Sequence, residues 1–160
     1  MPTKVRRGPV AAGRPARVFV DSGAWIGLVS ADDQHHEEAD LLFRGCLGAR
    51  VSLVTTHLVL AEVHRLLLHR AGIRPAAAAL ARIEASPSVR IAFPAAPEHR
   101  AARAWLAKLG DQRITYTDAV SFSVMASDRC GAALSFDGDF VIAGFRRVRP
   151  DDAWLIGPSR

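Results

Sequence analysis

The sequence predicts an α/β domain built on a mainly parallel sheet. Apolar runs typical of strands lie near 17–21, 51–55, 89–93 and 132–136, with a candidate fifth strand at 145–149. Helical patterns lie between them, near 22–30, 34–47, 56–71, 75–86, 97–109 and 117–129. Because the strands show little polar alternation and are separated by helix-length segments, they indicate βαβ units that cover both faces of the sheet.

Boundary residues support these elements. Pro75 and Pro97 fall where a first helical turn is expected, and Gly72, Gly110 and Gly131 fall where helices are expected to end. The chain holds no internal repeat and no linker that would divide its body. We therefore predict one domain for the body of the chain.

The 160 residues are predicted to form a basic leader at 1–16, a single domain at 17–150 and a short tail at 151–160. Of the 21 basic residues, five lie in residues 1–17, which hold no acid; residues 18–160 carry 16 basic and 16 acidic residues. The formal charge of +5 therefore belongs to residues 1–17, that is, to the Pro- and Gly-rich leader and Arg17, and we expect the leader to be disordered. Net charge alone does not indicate a nucleic-acid-binding protein.

The sequence also bears on the compartment. No apolar run reaches the roughly 18–20 residues that a membrane-spanning helix needs, and the start lacks the apolar stretch of a signal peptide. Cys46 and Cys130 are far apart and in no metal-ligand spacing, so we interpret them as reduced core thiols. These features predict a cytoplasmic protein without a membrane partner.

Acidic residues follow two of the predicted strands. The stretch VFVDSGAWIGL, residues 18–28, places Asp21 where a buried strand passes into a helix, although an ionised carboxylate without a partner is costly to bury. Asp137 and Asp139 follow the fourth predicted strand in ALSFDGDF. Since the carboxyl ends of parallel strands meet at one edge, where open α/β sheets bind ligands, these acids are expected to lie near one another.

Two helical acids are expected at the same edge. Glu62 lies on or beside an apolar stripe, since residues three or four positions away are apolar: Leu58, Val59 and Leu66. Asp118 falls in the first turn of its helix, where a negative charge is stabilised, and Thr117 is a candidate N-cap. We therefore consider both acids as candidate site residues.

Most of these acids also have a local explanation. Asp21 could cap the next helix, Asp118 could stabilise a helix start and Asp137 suits a turn, whereas Glu62 has no such role. Four coincidences at one edge favour a carboxylate cluster that cations must neutralise. Oxygen donors with no Cys or His in ligand spacing favour Mg²⁺ or Mn²⁺, as one ion or two, and metal-assisted phosphodiester hydrolysis.

Four segments, VFVDSGAWIGLV, TTHLVLAEVHRLL, YTDAVSFSVM and ALSFDGDFVIAGFRRV, resemble in order and spacing the signature segments of PIN-domain ribonucleases. The resemblance is closest to VapC-type toxins of bacterial toxin–antitoxin pairs and runs from about Arg17 to Val148. It implies a three-layer α/β/α sandwich and a Mg²⁺- or Mn²⁺-dependent endoribonuclease that hydrolyses RNA with metal-activated water. It also implies a homodimer and a cognate antitoxin that neutralises the toxin.

The resemblance assigns roles to residues one by one. The family's four acids, which are both catalytic and metal-ligating, match Asp21, Glu62, Asp118 and Asp137, with Asp139 as the alternative fourth ligand. Three hydroxyl residues would support the acids: Ser22, Thr117 and Ser135. The leader is a departure, because relatives usually start a few residues before the first acid.

Other interpretations were weighed on the same residues. A receiver-like phosphoryl-transfer domain needs an adjacent acid pair and usually a lysine, but Asp21 stands alone and the only lysines are Lys4 and Lys108. The acidic stretch ADDQHHEEADLL, residues 31–42, is interpreted as a helix start and not as a second metal site. A catalytically degenerate PIN-like module that binds RNA or protein is the alternative function, and metal-dependent cleavage distinguishes it from the enzyme.

Overall fold

The computed structural model describes residues 13–155, and within them four strands form one parallel sheet in the order β3-β2-β1-β4. The strands are β1 (Arg17–Val20), β2 (Ser52–Thr56), β3 (Val89–Ala92) and β4 (Ala132–Leu134). Val18 of β1 pairs with Leu53 of β2 on one side and with Ala132 of β4 on the other. All three pairings are parallel, so the carboxyl ends of the strands share one edge of the sheet.

Seven helices surround this sheet in the described residues. They are α1 (Ser22–Val29), α2 (His36–Gly48), α3 (His57–Ala71), α4 (Ile73–Glu84), α5 (Ala96–Lys108), α6 (Tyr116–Ser127) and α7 (Asp139–Ile142), followed by a 3-10 turn at Ala153–Leu155. α1 packs on α2, α3 on α4 and α5 on α6. The predicted three-layer α/β/α sandwich with a mainly parallel sheet is confirmed.

The core explains the lack of alternation in the central strands. Val18, Phe19 and Val20 are fully buried, because helices cover both faces of β1. Cys46 and Cys130 lie in the same core as free thiols, as predicted. Burial raises the pKa of Cys46 to about 12 and that of Cys130 to about 11, so both remain protonated near neutral pH.

The predicted fifth strand at 145–149 is not formed. Its pairing is reduced to one bridge, in which Ala133 donates to the Arg146 carbonyl and accepts from the Val148 amide. By contrast, β4 pairs with β1 through all three of its residues on its other side. Helix α7, four residues long, was not predicted, because so short a helix spans barely one period of a helical pattern.

The ends of the described chain lie against the domain. Arg14 donates to the Ala49 carbonyl at 2.6 Å, and the Ala16 carbonyl accepts from the Ser52 amide at 3.1 Å. Leu155 packs against Gly45 of α2, so closely that a Cβ there would meet the Leu155 side chain at 2.5 Å and make it shift. The predictions for 1–12 and 156–160 concern residues outside the described range. No helix in residues 13–155 has the length and hydropathy of a membrane span.

Candidate active site

Asp21 ends β1 as a buried carboxylate, with 5% of its surface exposed. Its backbone amide donates to the Leu134 carbonyl of β4 at 3.1 Å, which continues the β1–β4 ladder. The Ser135 hydroxyl donates to its Oδ2 atom at 3.0 Å. The side chain of Asp21 is therefore held where two neighbouring strands end.

Acidic neighbours surround this carboxylate and affect its protonation. Burial, the largest cause, raises the pKa of Asp21 from 3.8 to about 7, and the negative charges of Asp118 and Asp137 add to the rise. The hydrogen bonds from the Ser22 amide and the Ser135 hydroxyl act in the opposite direction. Among residues 13–155, no basic side chain is a named cause of this pKa shift, so the site is one that a cation would stabilise.

Asp118 is held at the start of α6 by a reciprocal cap with Thr115. The Thr115 amide and hydroxyl donate to Asp118 Oδ2 at 2.9 and 2.6 Å, and the Asp118 amide donates back to the Thr115 hydroxyl. The prediction of Thr117 as N-cap is therefore wrong by two positions. The helix begins at Tyr116, so Thr117 is already helical and its carbonyl accepts from Ser121. The Thr115-x-x-Asp118 spacing of a capping box was the missed signal.

Asp137 lies on the loop between β4 and α7, and Asp139 begins α7. The Asp137 amide donates to the Ser135 hydroxyl at 3.3 Å, and the Asp139 amide donates to Asp137 Oδ1 at 2.7 Å. Partial burial, the charge of Asp137 and then that of Asp118 raise the pKa of Asp139. Four aspartates from three parts of the chain, Asp21, Asp118, Asp137 and Asp139, thus influence one another at the carboxyl edge.

Glu62 has no observed link to this group. It lies in the second turn of α3, which directly follows β2, and its side chain is half-buried. No hydrogen bond or ion pair joins it to the four aspartates among the described residues. Its place among the ligands stays a prediction.

The donor set suits a hard divalent cation, because it consists of carboxylate and hydroxyl oxygens. Within residues 13–155, however, no three His, Cys, Asp or Glu side chains converge closely enough to ligate one ion. Mutual repulsion between carboxylates favours such a spread arrangement. The oxygen donors and the negative charge of the site fit Mg²⁺ or Mn²⁺. The side chains would have to move closer together to ligate the ion.

Two contacts that sequence reasoning missed brace the loop of Asp137. The His35 ring stacks on Phe136 with 4.2 Å between centroids, and the Arg147 guanidinium donates to the Asp137 carbonyl at 3.3 Å. His35 is far from Phe136 in the sequence and Arg147 lies ten residues from Asp137, so neither contact falls within a local pattern. His36, next to His35, bonds the Gly27 carbonyl, and the stretch at 31–42 starts α2 as interpreted.

The domain and its acidic edge define a class of protein. The family model of the PIN domain matches residues 18–146, and the chain belongs to the PIN-domain family. The resemblance noted in the four sequence segments is confirmed, as is the prediction of an endoribonuclease of this family.

The particular relatives are VapC toxins. The chain is 37% identical over 134 residues to the 23S rRNA-specific endonuclease VapC20 of Mycobacterium tuberculosis, from strains CDC 1551 / Oshkosh and H37Rv, covering 84% of this chain and 99% of the relative. The crystal structure of M. tuberculosis VapC20, named as a Sarcin-Ricin loop cleaving toxin, superposes with a TM-score of 0.76 at 37% identity. That match covers 83% of this chain and 99% of VapC20.

Proposed function

We propose that the chain is a divalent-metal-dependent endoribonuclease toxin that cleaves 23S rRNA in the sarcin–ricin loop. One observation carries the proposal: Asp21, buried at a strand end, faces the negative charges of Asp118 and Asp137. The 37% identity to VapC20 over nearly the whole of that protein supports the RNA target. Hydrolysis of an RNA backbone also fits a site whose carboxylates lie at the edge of the sheet.

The proposed metal ligands are the acids of the carboxyl edge. They are Asp21, Glu62, Asp118 and Asp137, with Asp139 as the alternative to Asp137. Asp137 uses Oδ1 to accept from the Asp139 amide, which leaves Oδ2 for a ligand. Mg²⁺ or Mn²⁺ is favoured because all the donors are oxygens. A bound ion supplies charge neutralisation and the activation of water for attack on phosphorus.

The chain's own residues position that chemistry. Ser135 donates to Asp21 and accepts from the Asp137 amide, so one hydroxyl fixes two of the proposed ligands. Thr115 uses its amide and hydroxyl to hold one oxygen of Asp118, which leaves the other oxygen directed away from the cap. Ser22 acts through its backbone amide on the Asp21 carboxylate.

Further partners follow from the toxin class. We expect a cognate antitoxin to inhibit the enzyme, a homodimer as the assembled form and the cytoplasm as its location. The acidic edge gives the antitoxin an evident target, since a basic segment placed there would neutralise the carboxylates. Two buried thiols that are not in a disulfide agree with a reducing compartment.

The test is a cleavage assay on full-length protein with an RNA hairpin of the sarcin–ricin sequence and a hairpin with a scrambled loop. Wild type in Mg²⁺ or Mn²⁺ should cut the first hairpin at one position, and EDTA should stop cleavage. Asp118→Asn should lower the rate at least about 100-fold, because charge stabilisation of the reacting phosphate is lost. Asp111→Asn, at an exposed loop position, is the matched control and should cut at the wild-type rate.

Each outcome bears on a different part of the proposal. Cleavage that persists in EDTA or in Asp118→Asn would refute the metal site assigned here. Equal cutting of both hairpins would refute the sarcin–ricin target while leaving the nuclease. Folded wild-type protein that cuts neither hairpin in either metal would favour the catalytically degenerate binding module.

A further inference from the structure

Three arginines follow helix α7 in the sequence FRRVRP, and the fold uses them differently. One nitrogen of Arg146, Nη1, donates to both carboxylate oxygens of Asp152, at 2.8 Å each. Arg149 lies 3.3 Å from the Asp151 carboxylate. The charges of these two side chains are therefore compensated by neighbours that lie close in sequence.

Arg147 has no carboxylate partner among the described residues. Its side chain is half-buried, and its one hydrogen bond within residues 13–155 goes to the Asp137 carbonyl, at 3.3 Å. Its backbone is held in place by the single bridge between Arg147 and Ala133 of β4. A guanidinium has five N–H donors, so most of its donors remain available beside the acidic loop.

The same side chain lines a groove of about 480 Å³ next to that loop. The groove is walled by the three arginines and by Glu38, Val141, Phe145, Val148 and Pro150. Glu38 is its one acidic residue, and its apolar residues include Val141, which is exposed. Arg147 therefore connects two regions, the carboxylate edge through Asp137 and an arginine-lined groove beyond it.

We infer that Arg147 binds a backbone phosphate of the RNA where the strand passes from the acidic edge into this groove. This inference rests on the proposed function for the identity of the polyanion. The carboxylates repel the RNA backbone, so a cationic group at their margin lowers the cost of approach. A guanidinium matches phosphate with paired hydrogen bonds. Because the Asp137 carbonyl already orients the group, less side-chain entropy is lost on binding.

The experiment measures RNA affinity without cleavage. Every variant carries Asp118→Asn, and the dissociation constant of full-length protein is measured at several salt concentrations by fluorescence anisotropy. The probes are the labelled sarcin–ricin hairpin and an unrelated single-stranded RNA. Arg147→Ala should weaken both complexes about tenfold at low salt and reduce the slope of log K against log salt by about one. Arg147→Lys should restore part of the affinity, because it keeps the charge.

Arg149→Ala is the matched control, since it removes an exposed arginine of the same segment that is paired with Asp151. It should change affinity less than twofold. An unchanged salt slope in Arg147→Ala, or an equal effect of Arg149→Ala, would overturn the inference. Circular dichroism confirms folding of each variant, and Arg147→Gln replaces the alanine variant if that one unfolds. If the binding data support Arg147 but the protein without Asp118→Asn does not cut RNA in the cleavage assay, the proposed function fails and this inference stands.

Discussion

The carboxyl edge of the sheet has two halves, and the fold uses their polar residues differently. In the half formed by β2 and β3, Thr56 accepts from the Val59 amide and so caps α3, and β3 passes into Phe93, whose side chain is 74% exposed. In the half formed by β1 and β4, Asp21 is bonded by Ser135 across the strands and faces further acids.

The difference separates stability from function. Thr56 is fully buried, but its hydroxyl has a nearby partner, so its burial supports the helix that follows. Asp21 is almost as buried and faces like charges, so its ionised form opposes folding. A position that costs stability and is nevertheless present marks the β1–β4 half as a candidate site of chemistry, to which α3 of the other half would contribute Glu62 as a proposed ligand.

The largest expected effect comes from Asp21→Asn, measured in EDTA as the free energy of unfolding against pH. The folded pKa of Asp21 is about 7 and its ordinary value is 3.8, so the folded state binds the proton more tightly. The stability that this proton contributes is present below about pH 4 and is lost as pH rises through about 7. Asparagine cannot ionise, so the variant should not lose this stability. Its free energy of unfolding relative to wild type should therefore rise by about 4 kcal/mol between pH 4 and pH 8.

The same change at a more accessible carboxylate serves as the control. The pKa of Asp139 is also raised, but its side chain is only partly buried, so Asp139→Asn should give a smaller gain. If the free energy of unfolding depended on pH in the same way for wild type and Asp21→Asn, burial would not raise the pKa of Asp21. The two halves of the edge would then not differ in the way described.

An intermediate effect is expected from removing one cap in each half. Thr115→Ala and Thr56→Ala should each lower the free energy of unfolding by about 1–2 kcal/mol, since each loses an N-cap. Thr115→Ala should also reduce cleavage roughly 10-fold or more, because the Thr115 hydroxyl holds the Asp118 carboxylate. Thr56→Ala should cut like wild type. Rates are compared at a temperature where both variants are folded, and equal loss in the two would contradict the comparison.

The smallest expected effect concerns Ser135. Ser135→Ala removes the hydroxyl donor to Asp21 and should lower cleavage several-fold to about 10-fold, with a change in stability near 1 kcal/mol. Ser123→Ala is the control, since that buried hydroxyl bonds the Ala119 carbonyl within α6. Both are read by cleavage rate and by thermal unfolding. If Ser123→Ala lost as much activity as Ser135→Ala, the Ser135 effect would reflect general destabilisation and not its hydrogen bond to Asp21.

Much of the architecture was predictable from local patterns. β1 was placed to within one residue because its apolar run ends at Asp21, and α3 because Thr56 precedes it and Gly72 follows it. The prediction at 145–149 failed because local residue preference does not decide pairing: β4 pairs in full with β1, but it meets this segment only at one bridge to Ala133. The same limit applies to Thr117, where two threonines compete for one cap.

The sequence by itself determined the order of strands and helices, the burial of β1 and the delivery of Asp21 and Asp137 to strand ends. These follow from periodicity and boundary residues, which act over a few positions. Only the tertiary structure decided that Ser135 bonds Asp21, that Asp118 raises the pKa of Asp21 and that Arg147 reaches the Asp137 carbonyl. Those contacts lie beyond the reach of a local pattern, since even Arg147 and Asp137 are ten residues apart, and they depend on distances that the packing around the sheet fixes.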